Sequence, residues 1–273
     1  MSPYQIEGPA LISFSGGRTS GFMLHEIIDT MEVQPHDVYV VFANTGKELP
    51  ETLDFVKKCE TWGWDITWIE WTLEKPKFQV VNYETADRTG KPLADLIGQK
   101  QQNPKALRRF CTEHAKVITM KRFMKSKGHK HWTSVVGLRY DEGYRLLKMY
   151  ARNDDEKQPW TNYAPLSKDK IVKDDVMEFW SKQPFDLGLE PFESNCDLCF
   201  LKSRNLRREL IRRRPWIADW WIEQEERFGY AMTDTYFVKD LVQEIDEQPM
   251  MDFLDEEHEV ECGLICSGEE FES

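Results

Sequence analysis

The six residues Ser15-Gly16-Gly17-Arg18-Thr19-Ser20 hold two glycines, three hydroxyls and a guanidinium. Glycines let a backbone approach a ligand closely and take positive φ. Hydroxyls and a guanidinium donate to oxyanions. Holding a phosphate chain is the chemistry that suits this set. A second group lies at Gly137, Arg139, Asp141, Glu142 and Arg145. Two arginines six positions apart suit a phosphate or sulfate, and the acidic pair between them either orients the arginines or holds Mg2+. The third group is the thiols, at positions 59, 111, 196, 199, 262 and 266. Cys196 and Cys199 form a C-x-x-C, a spacing that brings two thiolates to one metal ion or cluster. Cys262 and Cys266 complete a structural zinc site on one reading. On the other, Cys111 joins the C-x-x-C in an iron–sulfur set, with Cys262 or Cys266 as the candidate fourth ligand.

Elements of alternating type must position these groups. The apolar run 10–14 reads as a strand, and a helix to about residue 31 follows the glycine loop. Strand, tight loop and helix start together present backbone N–H groups to an anion. The run 37–43 is nearly all apolar, as in a buried parallel strand, and ends at Asn44-Thr45-Gly46. A helix over 49–62 places Leu53, Val56 and Cys59 on one face, so Cys59 is expected in the core. Further strands are read at 66–71 and 133–136, and a basic helix over 108–127. Residues 74–103 are polar and read as an irregular insertion over the site, a lid. Residues 172–180 make an amphipathic helix, and 184–239 are helical and aromatic. Trp216, Trp220 and Trp221 are taken there as core or interface anchors. The fold expected is α/β, Rossmann-like and doubly wound, with a mainly parallel sheet and a helical C-terminal extension. The divisions drawn are a nucleotide-binding domain at 1–165, a C-x-x-C subdomain at 166–239 and an acidic tail at 240–273.

Composition narrows the class. The chain has 273 residues, 40% of them apolar, and a net charge of −12. Residues 240–273 hold thirteen of the 48 acidic residues and none of the 36 basic ones, which leaves 36 basic against 35 acidic over 1–239. Basic residues concentrate at 116–130 and 202–214, either as solvated faces or as a surface for phosphates or nucleic acid. No run of 18 apolar residues offers a membrane span, and the first residues carry no basic-then-apolar leader, so a cytoplasmic protein without membrane contact is expected. In a reducing compartment, thiols serve metals, clusters or catalysis rather than disulfides.

The loop 15–20 resembles the PP-loop, S-G-G-x-x-S, of the ATP pyrophosphatase and phosphoadenosine phosphosulfate (PAPS) reductase superfamily. It matches neither the phosphate loop G-x-x-x-x-G-K-[ST] nor a G-x-G-x-x-G fingerprint. The resemblance covers roughly residues 10–215. After the loop come Asn44-Thr45-Gly46, an R-x-C-x-x-x-x-K segment at Arg109, Cys111 and Lys116, the G-x-R-x-D-E-x-x-R pattern at 137–145 and the C-x-x-C. It implies an adenine nucleotide, ATP or the sulfonucleotides PAPS or adenosine phosphosulfate (APS), held by Ser13, Ser15, Gly16, Gly17, Arg18, Thr19 and Ser20. Asn44, Thr45 and Gly46 would contact adenosine. Arg109, Lys116, Gly137, Arg139, Asp141, Glu142 and Arg145 would surround the phosphates with Mg2+. Arg18, Arg139 and Arg145 would stabilise charge during transfer.

The thiols resemble those of APS reductases, which hold a 4Fe-4S cluster with a Cys-Cys pair and a later C-x-x-C. Here Phe110 stands where a second cysteine of the pair would be. Three cysteines and an open iron resemble cluster-dependent tRNA thiolases, and four resemble the sulfur-transfer subunit of DNA phosphorothioation systems. Glu261-Cys262-Gly263-Leu264 resembles the E-C-G-[LI]-H signature of sulfonucleotide reductases, whose cysteine attacks sulfur and is resolved by thioredoxin. Ile265 replaces the histidine, and acidic neighbours would weaken Cys262 as a nucleophile. The whole is most similar to compact PAPS-reductase-like proteins of bacteriophages. The expected function is adenylation coupled to sulfur transfer, with a nucleic-acid acceptor or a sulfur-donor protein as partner. Sulfite-forming reduction with catalytic Cys262 is one alternative, and nucleotide or nucleic-acid binding without catalysis is the other.

Overall fold

A computed structural model describes residues 2–154 and 157–247. The strands are β1 (Ala10–Phe14), β2 (Val38–Asn44), β3 (Ile66–Trp71), β4 (Phe78–Val81), β5 (Trp132–Val136) and β6 (Trp160–Tyr163). They form one sheet in the order β4-β3-β2-β1-β5-β6. Only β4 runs antiparallel to its neighbour. From β1 the chain moves outward through β2 and β3, then returns to the other side of β1 for β5. That reversal opens a crevice at the carboxyl ends of β1 and β5, the place where such sheets bind ligands. The α/β, mainly parallel sheet is the architecture expected from the alternation of apolar runs and helices.

Successive strand residues face opposite ways, and the sheet is covered on both sides. Ala10, Ile12 and Phe14 join Val40, Phe42 and Trp68 in one core with α1 (Arg18–Met31), α2 (Pro50–Cys59) and α7 (Lys173–Ser181). Leu11, Val41 and Ile69 face the other way, onto Met120, Phe123 and Met124 of α4 (Thr119–Ser126). Cys59 lies in the first core, and burial pushes its thiol pKa up.

Residues 74–103 are more regular than expected. They supply β4 and a helix, α3 (Lys91–Lys100), whose Leu93, Leu96 and Ile97 enter a separate apolar cluster. That cluster also takes residues of α8 (Arg204–Arg213), α9 (Trp216–Phe228) and α10 (Val238–Glu247). The basic segment splits into a π-helical stretch, Cys111–Ile118, and α4. Between β5 and α7 lie α5 (Gly143–Asp154) and the short α6 (Pro165–Lys168). Apolar packing draws Leu166, Val176, Trp180, Leu187 and Leu189 into the first core, so residues 166–189 pack with the sheet. Among the described residues no helix is long and apolar enough to cross a membrane.

Candidate functional site

The loop after β1 is built around two different glycines. Gly16 has φ +77°, and a Cβ there would lie 2.8 Å from Thr52 Cγ2 and 3.0 Å from Val56 Cγ2 of α2. Only glycine fits both the backbone and the space. Gly17 is extended, with φ −100° and ψ 164°, and stands at the N-terminus of α1. No side chain caps that end, and the first turn holds no acidic residue. The positive end of a 14-residue helix is thus offered to an anion. Ser15 and Ser20 hydroxyls meet at 2.9 Å, and Ser20 Oγ donates to Gly17 O at 3.0 Å, tying the loop to the helix. Ser13 faces away, its hydroxyl toward Met120 Sδ.

Arg18 does not reach over the loop. Its Nε donates to Asp186 Oδ1 at 2.7 Å, and its Nη2 donates to Asp186 and to Leu189 O. Burial pushes the Asp186 carboxyl up, but hydrogen bonds from Arg18 and from backbone N–H groups outweigh it and hold the pKa below the ordinary range. Arg18 therefore fastens the start of α1 to the segment after α7. Beside the loop, Arg139 is the arginine that bonds Thr19.

Arg139 is buried. It donates from Nη1 to Thr19 Oγ1 at 3.0 Å and from Nε to Asp141 at 3.0 Å. Gly137 lets the loop after β5 touch the loop after β1, since a Cβ there would lie 3.2 Å from Ser20 Cα. Glu142 accepts from the Arg139 N–H at 2.9 Å and from the Arg145 guanidinium. Asp141 and Glu142 thus orient the two arginines. The crevice brings together Gly16, Gly17, Thr19, Ser20, Gly137 and Arg139, which are 120 residues apart along the chain at Thr19 and Arg139.

The loop after β2 forms the next wall. Asn44 is fully buried, donating to Glu70 Oε1 at 2.6 Å and to Asp87 O at 2.8 Å. Its Oδ1 accepts from Gly46 N–H at 3.1 Å. The asparagine is thereby spent on shaping the turn. Gly46 has φ +78°, and a Cβ there would strike Asp87. Thr45 gives both its N–H (2.8 Å) and its hydroxyl (2.9 Å) to Glu48.

Glu48 is the residue that sequence reasoning missed. Its side chain is fully buried and also takes Lys116 Nζ at 3.1 Å. Cys196 Sγ lies 3.8 Å from the same carboxylate and 3.9 Å from Lys116 Nζ. The backbone at 47–49 pairs antiparallel with that at 195–197: Leu49 N–H donates to Asn195 O and Asp197 N–H to Lys47 O. Side chains repeat the link. Lys47 pairs with Asp197 at 2.7 Å in near-complete burial, and Trp221 Nε1 donates to the same carboxylate. Asn195 Nδ2 donates to Ser15 O at 2.7 Å, so the C-x-x-C segment touches the glycine loop itself. A lysine and a glutamate directly after N-T-G were the available signal, but their partners are far along the chain.

Cys111 packs on the cluster that contains Leu198 and Phe200. Arg109 is half-buried and precedes the turn. Lys202, buried beside Cys199 and Cys196, has its pKa lowered to about 8 by burial, against the pull of those thiols and Glu193. Cys196 thus lies beside Lys116 and Glu48, and Cys111 lies on the apolar cluster that the C-x-x-C segment enters through Leu198. Among the described residues, however, no three His, Cys, Asp or Glu side chains are grouped to hold a metal ion. Cys262 and Cys266 lie outside the described residues.

The arginines of the basic stretch 202–214 are paired with acids of the same helix and of other elements. Glu209 holds Arg212 and Arg213, Glu51 and Glu193 hold Arg214, Glu244 holds Arg204, and Arg207 is fully buried.

Comparison with known proteins gives four findings. The family model for the phosphoadenosine phosphosulfate reductase domain matches residues 9–183. The uncharacterized nin region protein ORF290 of Escherichia phage lambda is 28% identical over 207 residues, covering 71% of this chain and 66% of that one. An uncharacterized protein of Methanocaldococcus jannaschii is 25% identical over 236 residues, covering 80% of this chain and 48% of that one. The chain therefore spans just under two thirds of the first relative and about half of the second. Among solved structures, the U34-tRNA thiolase NcsA from Methanococcus maripaludis with its 4Fe-4S cluster overlays with a TM-score of 0.43 at 15% identity, covering 90% of this chain and 74% of that one. An overlay that loose carries no residue or ligand across.

Proposed function

The chain belongs to the phosphoadenosine phosphosulfate reductase family, and from that premise we propose that it binds ATP at loop 15–20 and cleaves it between the α- and β-phosphates. An acceptor oxygen attacks the α-phosphorus, the bond to the α–β bridging oxygen breaks, and pyrophosphate leaves. Sulfide from a donor then attacks the activated carbon of the adenylated acceptor, so that a C–S bond forms, the C–O bond breaks and AMP leaves with that oxygen. The observation that carries this reading is the uncapped start of α1 beside buried Arg139. Gly16, Gly17 and Ser20 cradle the departing pyrophosphate. Arg139 meets charge as it develops on the phosphate oxygens, in a site shielded from water where a fixed cation counts most. Arg145 adds charge from the same loop, while Arg18 holds the helix start in place. Adenosine lies along the backbone at 45–46. Lys116, held by Glu48, and Arg109 supply positive charge from the side of the C-x-x-C.

The test is product analysis with ATP labelled at the α-phosphate. AMP and pyrophosphate support the proposal, while ADP and inorganic phosphate refute it. The sulfite-forming alternative needs Cys262 as nucleophile. Thioredoxin-dependent sulfite release from PAPS, lost in Cys262→Ser, would put that reaction in its place.

A further inference from the structure

α5 starts directly after the Arg139 loop and turns its outer side to solvent. Leu146 and Met149 are buried and anchor it to the core. At helical spacing, Tyr144, Leu147 and Ala151 form one exposed stripe. Tyr144 and Leu147 are each 71% exposed, and Tyr140 just before the helix is 55% exposed. Large apolar side chains so open and so close together mark an interaction surface. Arg145, Lys148 and Arg152 form the adjacent stripe, Arg145 being paired with Glu142 just before the helix, and Asp154 is the one acidic residue within the helix. Lys148 Nζ sits 4.4 Å from the Tyr144 ring centroid.

Stacking rings interleaved with cations fit bases joined by phosphates, because rings take base faces and lysines or arginines follow the backbone. An apolar protein partner would not call for the cationic stripe. Of the two basic stretches the sequence offers, 116–130 and 202–214, the second is paired with Glu51, Glu193, Glu209 and Glu244. We infer that the outer face of α5, with Tyr140 at its approach to the crevice, is the landing surface for a single-stranded nucleic acid. This rests on the proposed adenylation and names the chemical class of its acceptor. It is tested by binding alone, so its failure and the failure of ATP cleavage are separate results.

The experiment is fluorescence anisotropy of the full chain with labelled single-stranded RNA and DNA of about 20 nucleotides, long enough for several stacked bases. Matched duplexes serve as controls, and each probe is measured at 50 and 200 mM salt. Binding to a single strand that weakens steeply with salt is expected. Tyr144→Ala should weaken it roughly ten-fold and Tyr144→Phe should restore it, since stacking needs the ring and not the hydroxyl. Lys148→Glu should weaken it and flatten the salt dependence by about one phosphate. Thermal unfolding of each variant confirms that the fold is kept. Preference for one sugar identifies the acceptor as RNA or DNA, and either supports the inference. No binding to any single strand at 50 mM salt, tighter binding to duplex, or affinity unchanged by both Tyr144→Ala and Lys148→Glu would overturn it.

Discussion

Gly17→Asp separates stability from ligand binding because the two should move in opposite directions. Gly17 stands at the N-cap of α1 in extended conformation, which any residue adopts. Aspartate is among the best N-cap residues and satisfies an orphan N–H, worth roughly a few tenths of a kcal/mol over glycine. A new Cβ would lie 3.2 Å from Asn195 Nδ2, so a small shift of that side chain offsets part of the gain. Folding stability should therefore stay within about 1 kcal/mol of wild type. The same carboxylate occupies the anion's seat. It removes N–H groups from the phosphate and sets like charges within a few ångströms. Two such charges 4 Å apart near a protein surface repel by up to about 4 kcal/mol, so a loss of at least ~2 kcal/mol, about thirty-fold in affinity, is expected. Urea unfolding measures the first effect, and titration calorimetry with ATP and with PAPS measures the second. ATP and PAPS affinities within three-fold of wild type, in a variant that unfolds normally, would refute the loop as the phosphate seat.

Gly16→Ala should do the reverse and damage the fold. Positive φ costs about 1–2 kcal/mol, and the 2.8 Å contact with Thr52 adds overpacking of about 1–3 kcal/mol, read as a lower urea midpoint. Arg139→Ala should lower ATP cleavage by about a hundred-fold or more, as loss of a buried donor to developing charge does, with single-turnover rates as the measurement. Glu48→Ala leaves Lys116 buried without this carboxylate and should cost about 3 kcal/mol. A double-mutant cycle with Lys116→Met, in which the second change recovers part of the loss, checks that assignment. His114 has its pKa lowered to about 4, chiefly by burial and further by Lys100 and Arg122, with Glu113 also beside it. Between pH 6.5 and 4 the unfolded chain binds a proton that the folded chain refuses. Stability from this group is thus whole above 6.5 and falls with acid, by about 1 kcal/mol at pH 5 once solvent screening is allowed for. His114→Gln should flatten that slope in urea unfolding at pH 7 and pH 5.

What could be read in advance follows from the range of the forces involved. Strands β1, β2, β3 and β5 are apolar runs ended by turn residues, and their local pattern suffices. β4 and β6, Phe-Gln-Val-Val and Trp-Thr-Asn-Tyr, are four-residue edge strands open to solvent and carry no such pattern. α3 was hidden because Lys91, Asp95, Gln99 and Lys100 surround its apolar Leu93, Leu96 and Ile97. The glycine loop and Arg139 loop were legible because glycine and arginine types report local geometry and charge. Arg18 shows the limit of that inference. Adjacency to the loop suggested a phosphate contact, but the helix turns its side chain toward Asp186, 168 residues away. Glu48 was invisible for the same reason, since its partners at 116 and 196 come from other elements.

The central claim is that the crevice between β1 and β5 seats the phosphates of an adenine nucleotide. A crystal structure of the full chain with the uncleavable analogue α,β-methylene-ATP tests it most directly. The prediction is β- and γ-phosphates on the backbone N–H groups at 16–20, the α-phosphate facing Arg139, and adenosine along 45–46. A nucleotide bound elsewhere, or one whose γ-phosphate alone faces Arg139 while the start of α1 stays bare, would contradict it.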